Sequence, residues 1–144
     1  MEHREASCAI EFTGAIYDPW ALAPWMLGAA LMPYPVNLGL SLHQAFGFGV
    51  PVVTSDRWLD HGPEFDALVD GETGLLYRAG DVGDLAAGWT RLLRDEPLRR
   101  RLAEGAHRRA IEVDTLPRMV QGFLDLLSIV DGERRSVETR ETAA

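Results

Sequence analysis

Short apolar segments alternate with longer amphipathic ones along this 144-residue chain, and that alternation limits the possible folds more than any other feature. Four segments predict strands, because they are brief and apolar or alternate in polarity: residues 9–14, 29–32, 51–54 and 74–77. Apolar strands separated by helices form parallel sheets that are covered on both faces and joined by right-handed crossovers. The sequence therefore predicts an α/β fold with a mostly parallel sheet of about four strands.

Capping residues and apolar spacing predict the helices between and after these strands. Asp18 before Pro19 is typical of a helix start, and Asn37 is available to cap a helix that follows it. Asp81 and Asp95 precede two segments whose apolar residues recur every three or four positions. The expected helices cover residues 18–28, 38–48, 82–93, 97–113 and 117–129. We expect one domain over residues 1–130 and a polar tail over residues 131–144.

Charge balance and residue usage exclude several classes of function. The chain has 14 basic and 22 acidic groups, a net charge of −8, whereas nucleic-acid binding requires clustered cations. Every basic residue is arginine, and the absence of lysine excludes Schiff-base chemistry and a P-loop. Cys8 is the single cysteine, and no segment is apolar enough to predict export or a membrane span. We therefore expect a cytoplasmic protein that binds no nucleic acid.

Three loops are candidates for a ligand site, because ligands of parallel sheets bind beyond the carboxyl ends of the strands. These loops are residues 14–19, 33–39 and 55–64. In the second, Gly39, Leu40 and Ser41 would offer unpaired amides to an anion at the start of a helix. The alternative for this segment is an ordinary strand–helix loop capped by Asn37.

Other motifs are weaker indications of a ligand or metal site. Gly47 and Gly49 lack the third glycine of a dinucleotide fingerprint, and they follow a predicted helix rather than a strand. His61 and Glu64 form an H-x-x-E pattern, but the Gly-Pro between them breaks the helix that metal ligation would need. We therefore predict no metal site. The remaining acidic residues near His61, with the indole of Trp58, either line a ligand site or form a solvated loop; they are Asp56, Asp60 and Asp66.

Several stretches, in order, resemble the C-terminal half of a retaining, nucleotide-sugar-dependent GT-B glycosyltransferase of the family 4 kind. The most specific are residues 45–54 (AFGFGVPVVT) and residues 62–76 (GPEFDALVDGETGLL), which follow each other with the expected gap. Residues 12–17 (FTGAIY), the proline-rich strand end and residues 39–41 (GLS) also match, as do residues 81–85 (DVGDL) and 92–95 (LLRD). The resemblance covers residues 10–127 and implies a partial Rossmann-like sheet with flanking helices and a helical C-terminus.

The resemblance also implies a donor site, in which Gly39, Leu40 and Ser41 offer amides to the diphosphate or the sugar. Tyr17 lies in the loop that borders the base, and Glu64 matches the Pro-Glu of the following loop. We add Asn37 to this donor-binding set, because it lies in the same loop. No catalytic residue is implied for this chain.

Two positions depart from the family pattern, in which glutamates eight positions apart contact the ribose and the donor sugar. Here Gln44 occupies the ribose position and Val36 occupies the sugar position. The amide of Gln44 can still donate and accept hydrogen bonds, whereas Val36 can do neither.

The family pattern also includes an acceptor domain and an initial donor-domain strand that precede the part matched here. The resemblance therefore implies a glycosyltransferase donor domain that binds a nucleotide-diphosphate sugar, without a cofactor, for transfer to a hydroxyl acceptor. We expect the isolated chain to transfer no sugar unless an acceptor domain is added, and to form a dimer or to aggregate. We also expect its first strand to pair directly with the second, which leaves an edge open to association.

Two other functions remain open. A non-catalytic module that binds a nucleotide or a protein partner is favoured by the two missing glutamates. A flavodoxin-like regulatory domain is disfavoured, because the chain lacks the acidic cluster with a downstream lysine that such domains use.

Overall fold

The computed structural model describes the backbone of residues 10–142, and the side chains discussed below belong to residues 10–130. Within this range the strands are β1 (Met32–Pro33), β2 (Val52–Ser55) and β3 (Gly74–Tyr77). The helices are α1 (Pro19–Gly28), α2 (Ser41–Gly47), α3 (Val82–Arg94), α4 (Glu96–Arg108) and α5 (Leu116–Thr142). Two 3-10 turns follow β2, at Trp58–Asp60 and Pro63–Ala67, and a π turn follows α4, at Arg109–Val113. His3 and Cys8 lie outside the described residues.

The strands form a parallel sheet in the order β1-β2-β3, so the predicted α/β class is confirmed. All four residues of β2 are buried, as a central strand with helices on both faces requires. Val52 packs into one core cluster and Val53 into another, because successive side chains of a strand point to opposite faces. The first cluster is completed mainly from α2 and the second mainly from α3 and α4.

The first predicted strand is absent from the described residues, so their sheet has three strands and not about four. Residues 10–14 have no regular structure, and Phe12 is 94% exposed; residue 9 lies outside the described range. A strand needs a neighbouring strand to pair its backbone groups. Alternating polarity within the segment does not provide that neighbour. The expected pairing of this segment with the second strand is therefore wrong for residues 10–14.

The second strand and the helix after it are shorter than predicted. β1 begins at Met32 and not at residue 29, because its pairing with β2 starts where the Met32 N–H donates to the Pro51 carbonyl at 2.9 Å. α2 begins at Ser41 and not at residue 38, and no side chain caps it. The predicted cap, Asn37, lies too far upstream to reach the first turn of this helix. A longer loop therefore joins β1 to α2.

Helices α3 and α4 start where their caps predict. A carboxylate oxygen of Asp81 accepts from the Asp84 N–H, and one of Asp95 accepts from the Leu98 N–H, both at 2.9 Å. The face of α4 that carries Leu98, Leu102 and Ala106 is buried. The helix predicted to reach residue 113 changes at Arg109 into the π turn. These two helices close one side of the sheet.

Close approaches of backbone fix α4 against the segment that enters β3. A Cβ atom on Gly105 would overlap the carbonyl oxygen of Glu72, and one on Gly74 would overlap that of Val52. Only glycine fits at either position, so the entrance of β3 is held between β2 and α4 without space for a methyl group.

Helices α1 and α5 contribute no buried residue among those described. Asp18 caps α1 by accepting from the Trp20 N–H at 3.1 Å, as predicted. Residues 116–130 of α5 are all exposed, and the helix runs to Thr142, past its predicted end at residue 129. The division into a domain and a tail at residue 130 stays a prediction. No helix in the described part of the chain combines the length and the hydropathy that crossing a membrane takes.

Candidate functional site

The loops that follow β1 and β2 meet at the carboxyl edge of the sheet, where the sequence predicted a ligand site. The Asn37 N–H donates to the Asp60 carbonyl at 2.9 Å, and the Gly62 N–H donates to the Leu38 carbonyl at 2.7 Å. The loop over residues 33–41 is therefore joined by its backbone to the loop over residues 55–64. The third predicted loop does not share these bonds: Tyr17 is 92% exposed, and the described residues offer its side chain no hydrogen-bond partner.

Asn37 sets the path of the first loop through a left-handed backbone, with a φ of 62°. Asparagine tolerates this conformation better than most residues, because its short polar side chain can bond locally. After this turn Leu38 is completely buried, whereas Leu40 is 76% exposed. The turn therefore anchors the loop at Leu38 and presents the residues that start α2.

The start of α2 carries unpaired backbone donors. The Leu42 N–H donates to the Gly39 carbonyl at 2.9 Å, and the Gln44 N–H donates to the Leu40 carbonyl at 3.3 Å. The N–H groups of Gly39, Leu40 and Ser41 donate to no group among residues 10–130. Unpaired donors of this kind attract anions, since the positive end of the helix dipole adds to their own partial charges.

His61 joins the two loops through its side chain. Its Nδ1 accepts from the Leu38 N–H at 3.2 Å, and its Nε2 lies 2.9 Å from Ser55 Oγ and 3.1 Å from the Ser55 carbonyl oxygen. The ring also stacks on Phe65, with centroids 4.7 Å apart. Both ring nitrogens of His61 are therefore occupied by protein groups.

The other histidines have separate surroundings. His107 Nδ1 donates to the Gly47 carbonyl at 3.0 Å, and His43 lies 3.7 Å from a carboxylate oxygen of Asp114. Among the described residues, no three histidine, cysteine or acidic side chains are grouped as a metal would require.

Most of the acidic cluster after β2 serves the loop itself. A carboxylate oxygen of Asp56 accepts from the Ala79 N–H at 2.9 Å, and Asp60 pairs with Arg57 at 2.7 Å. Glu64 differs, because its carboxylate lies beside Gly62 and Gly39: a Cβ on Gly39 would lie 3.9 Å from Glu64 Oε2. Asp56 and Asp60 therefore bind groups of the protein, whereas Glu64 places a carboxylate at the junction of the two loops. Asp66, the last member, is exposed.

The two positions without the family's glutamates lie at the same edge. Gln44 is exposed on α2, one turn after Leu40, and Val36 is 52% exposed just before Asn37. Both side chains are therefore accessible to solvent. Beside the second loop, a cavity of about 470 Å³ is lined by residues that include Trp58, His61 and Asp66.

The sequence placed Asn37, Gly39, Leu40, Ser41, Gln44 and Glu64 at one edge, and the structure brings these residues together. It does not bring Tyr17 into a bond with them. Sequence reasoning missed the bond from Leu38 to His61, since the partners are 23 residues apart. The left-handed turn had a local signal, an asparagine shortly before a glycine and after prolines.

Comparison with known proteins places the sequence in a family. The sequence profile of the family Glycosyl transferases group 1 matches residues 1–95. An exopolysaccharide phosphotransferase of Streptomyces coelicolor (SCO2592) is 37% identical over 109 residues, which cover 73% of this chain and 11% of that protein.

Solved structures share the fold. Sucrose-phosphate synthase from Thermosynechococcus elongatus superposes with a TM-score of 0.60 at 25% identity, over 76% of this chain and 28% of that one. Anabaena Alr3699/HepE in complex with UDP gives 0.60 at 21% identity, over 72% of this chain and 29% of that one. The same Anabaena protein in complex with UDP-glucose gives 0.59.

The chain spans between 11% and 29% of the length of these relatives. The predicted resemblance to part of a GT-B glycosyltransferase is confirmed by the family match and by the shared fold. This chain belongs to the group 1 glycosyl transferases.

Proposed function

We propose that this chain is the donor-binding part of a retaining glycosyltransferase and holds a nucleoside-diphosphate sugar at the joined loops. The observation that carries the proposal is the set of three unpaired amides, of Gly39, Leu40 and Ser41, at the start of α2. A diphosphate satisfies such donors without a lysine, which this chain lacks, and without a metal ion or cofactor. The Anabaena neighbours in complex with UDP and with UDP-glucose support this choice of ligand.

The surrounding residues receive roles that fit their positions. Gln44 bonds the ribose hydroxyls, because its amide is exposed one turn along α2. The carboxylate of Glu64 faces the donor across Gly39. Tyr17 borders the base from its own loop, a role that rests on the family resemblance alone. Asn37 keeps the left-handed turn that precedes the amides.

The chemical contribution of this chain is electrostatic. As the bond between the sugar and the diphosphate breaks, negative charge grows on the leaving phosphate oxygens. Fixed amides at a helix start stabilise that charge without reorganising, which lowers the barrier to transfer. The acceptor hydroxyl must be held from the other side, by an acceptor domain or by another chain. We therefore propose that the chain transfers no sugar by itself. We also propose that it acts in the cytoplasm.

One variant pair tests the amides directly. Leu40 has a φ of −53°, near the value that proline requires, and its N–H donates to no described group, so proline at this position removes that donor. Leu40→Ala is the matched control, since it also removes the exposed side chain but keeps the N–H. A hydrogen bond to a charged group contributes about 1.5–3 kcal/mol, so Leu40→Pro should raise the Kd for UDP about tenfold or more.

The measurement is a titration with UDP and with UDP-, GDP-, TDP- and ADP-sugars, monitored by the NMR shifts of backbone amides. We expect shifts at the start of α2 and a weaker Kd in Leu40→Pro only. Equal dissociation constants in the two variants, or shifts confined to α3, α4 and α5, would contradict the proposal.

A second pair tests the position of the ribose. Gln44→Ala should weaken nucleotide binding by about 0.5–1.5 kcal/mol, the contribution of one neutral hydrogen bond. His43→Ala is the control, because His43 is the adjacent residue of α2 and lies near Asp114 instead. A larger loss at His43, measured by calorimetry, would show that the helix is oriented differently toward the nucleotide.

The second candidate is a module that binds a nucleotide or a partner without catalysis. Val36 favours it, since an exposed apolar side chain occupies the place from which the family contacts the donor sugar. If UDP and UDP-glucose bind with equal affinity, the sugar receives no contact and this second function is supported.

A further inference from the structure

The Leu38 N–H is paired through a side chain and not through the backbone of the sheet or of a helix. Leu38 is completely buried, so its N–H requires a partner within the protein. That partner is Nδ1 of His61, at 3.2 Å. The neighbouring bonds, from Asn37 to Asp60 and from Gly62 to Leu38, use backbone groups only and would be available to any residue at position 61.

The direction of this bond fixes the tautomer of the ring. A backbone N–H can only donate, so Nδ1 carries a lone pair and the neutral ring has its proton on Nε2. The Nε2 proton then donates to Ser55, either to the hydroxyl at 2.9 Å or to the carbonyl at 3.1 Å. Ser55 is fully buried at the end of β2. The ring therefore connects the central strand to the turn that precedes α2.

We infer that His61 is a positioning residue for the donor loop. In its Nε2-protonated form the ring accepts from the Leu38 N–H at Nδ1, and this bond keeps the left-handed turn at Asn37 and the unpaired amides of residues 39–41 in place. The inference rests on the proposed function for its effect on nucleotide affinity. Its structural part, the bond and the tautomer, can be measured without any nucleotide.

Two substitutions of His61 by amide residues test the functions of the two ring nitrogens separately. In His61→Asn, Oδ1 takes the place of Nδ1 and can still accept from Leu38, but it cannot reach Ser55. In His61→Gln, Nε2 reaches the place of the ring Nε2 and can donate to Ser55, but the acceptor for Leu38 is lost. Both variants lose the stacking on Phe65, so the pair is matched for that contact.

The first arm of the experiment uses the native chain alone. Nitrogen-15 spectra of the His61 ring should show a proton on Nε2 and none on Nδ1 at neutral pH. A proton on Nδ1 would overturn the inference, and this result does not depend on the stability of any variant.

The second arm compares hydrogen exchange of the Leu38 amide in the two variants. We expect His61→Asn to exchange like the native chain and His61→Gln to exchange about tenfold faster or more, since its amide lacks an acceptor. Equal exchange in the two variants, or faster exchange in His61→Asn, would overturn the inference.

The third arm measures the affinity for UDP. His61→Asn should stay within about twofold of the native Kd, and His61→Gln should raise it about fivefold or more, as the loss of one positioning bond predicts. Equal affinities would overturn the positioning role. If the native chain binds no nucleotide, the proposed function fails, and the first two arms still decide whether His61 holds the turn.

Discussion

The segment over residues 38–106, which we call the packed body, differs from helices α1 and α5 in the exposure of its apolar side chains. Every buried residue of the described chain lies between Leu38 and Ala106. By contrast, α1 carries Trp20 at 87% exposure, and α5 carries Phe123 at 61%. Apolar composition alone therefore does not make a core. A side chain is buried only where a second layer covers it. Of the two helices, α1 contributes only the partly buried Met26 to a core cluster, and residues 116–130 of α5 contribute none.

The strongest test of this comparison removes a phenylalanine ring from the packed body and, separately, one from α5. Phe46→Ala should lower the free energy of unfolding by about 3–5 kcal/mol, because its fully buried ring leaves a cavity. Phe123→Ala should change it by about 0.5 kcal/mol or less, since that ring is exposed. Urea denaturation followed by circular dichroism measures both. A loss at Phe123 comparable with that at Phe46 would show that α5 belongs to the cooperative core.

A smaller effect separates two helical glycines. Gly105→Ala should cost about 1–3 kcal/mol, because the added methyl overlaps the Glu72 carbonyl and α4 must shift. Gly122→Ala meets nothing within 4 Å, so it should raise the helix content of α5 without destabilising the packed body. Thermal unfolding distinguishes them. A neutral Gly105→Ala would mean that α4 does not approach the entrance of β3 so closely.

The smallest expected effect compares two helix caps. Asp95→Ala removes the acceptor of the Leu98 N–H and should cost about 1 kcal/mol, since α4 is part of the packed body. Asp18→Ala removes the cap of α1, which has no fully buried residue and reaches the core only through the partly buried Met26, and should leave global stability unchanged while α1 loses helix content. Hydrogen exchange resolves the two helices separately. If both substitutions lower global stability equally, α1 is coupled to the packed body and the contrast drawn above is wrong.

The sequence predicted the elements that local chemistry determines. The β-branched run at Val52 and Val53 identified the central strand, and Asp81 and Asp95 identified the starts of α3 and α4. The prediction failed for residues 10–14, where alternating polarity suited a strand but the described chain offers no partner. Local pattern is sufficient for a helix, which bonds to itself, and insufficient for a strand, which bonds to another segment.

The candidate site likewise contains residues that the local sequence predicted and a contact that it did not. The amides of Gly39, Leu40 and Ser41 were predicted from a glycine at a strand–helix junction, which is local information. Asn37 was assigned correctly to the loop and incorrectly to the cap, because the helix starts at Ser41. The contact of His61 with Leu38 joins residues 23 positions apart, and nothing in the composition or spacing of either segment specifies it.

The sequence separation between Leu38 and His61 has a consequence for the order in which the chain folds. The 23-residue interval between Leu38 and His61 contains all of α2 and β2, so their bond closes a loop that spans both elements. Closing so long an interval costs entropy that local helix contacts do not. The junction of the two loops should therefore assemble after the folding transition state. In stopped-flow kinetics, His61→Gln should accelerate unfolding and leave the refolding rate nearly unchanged.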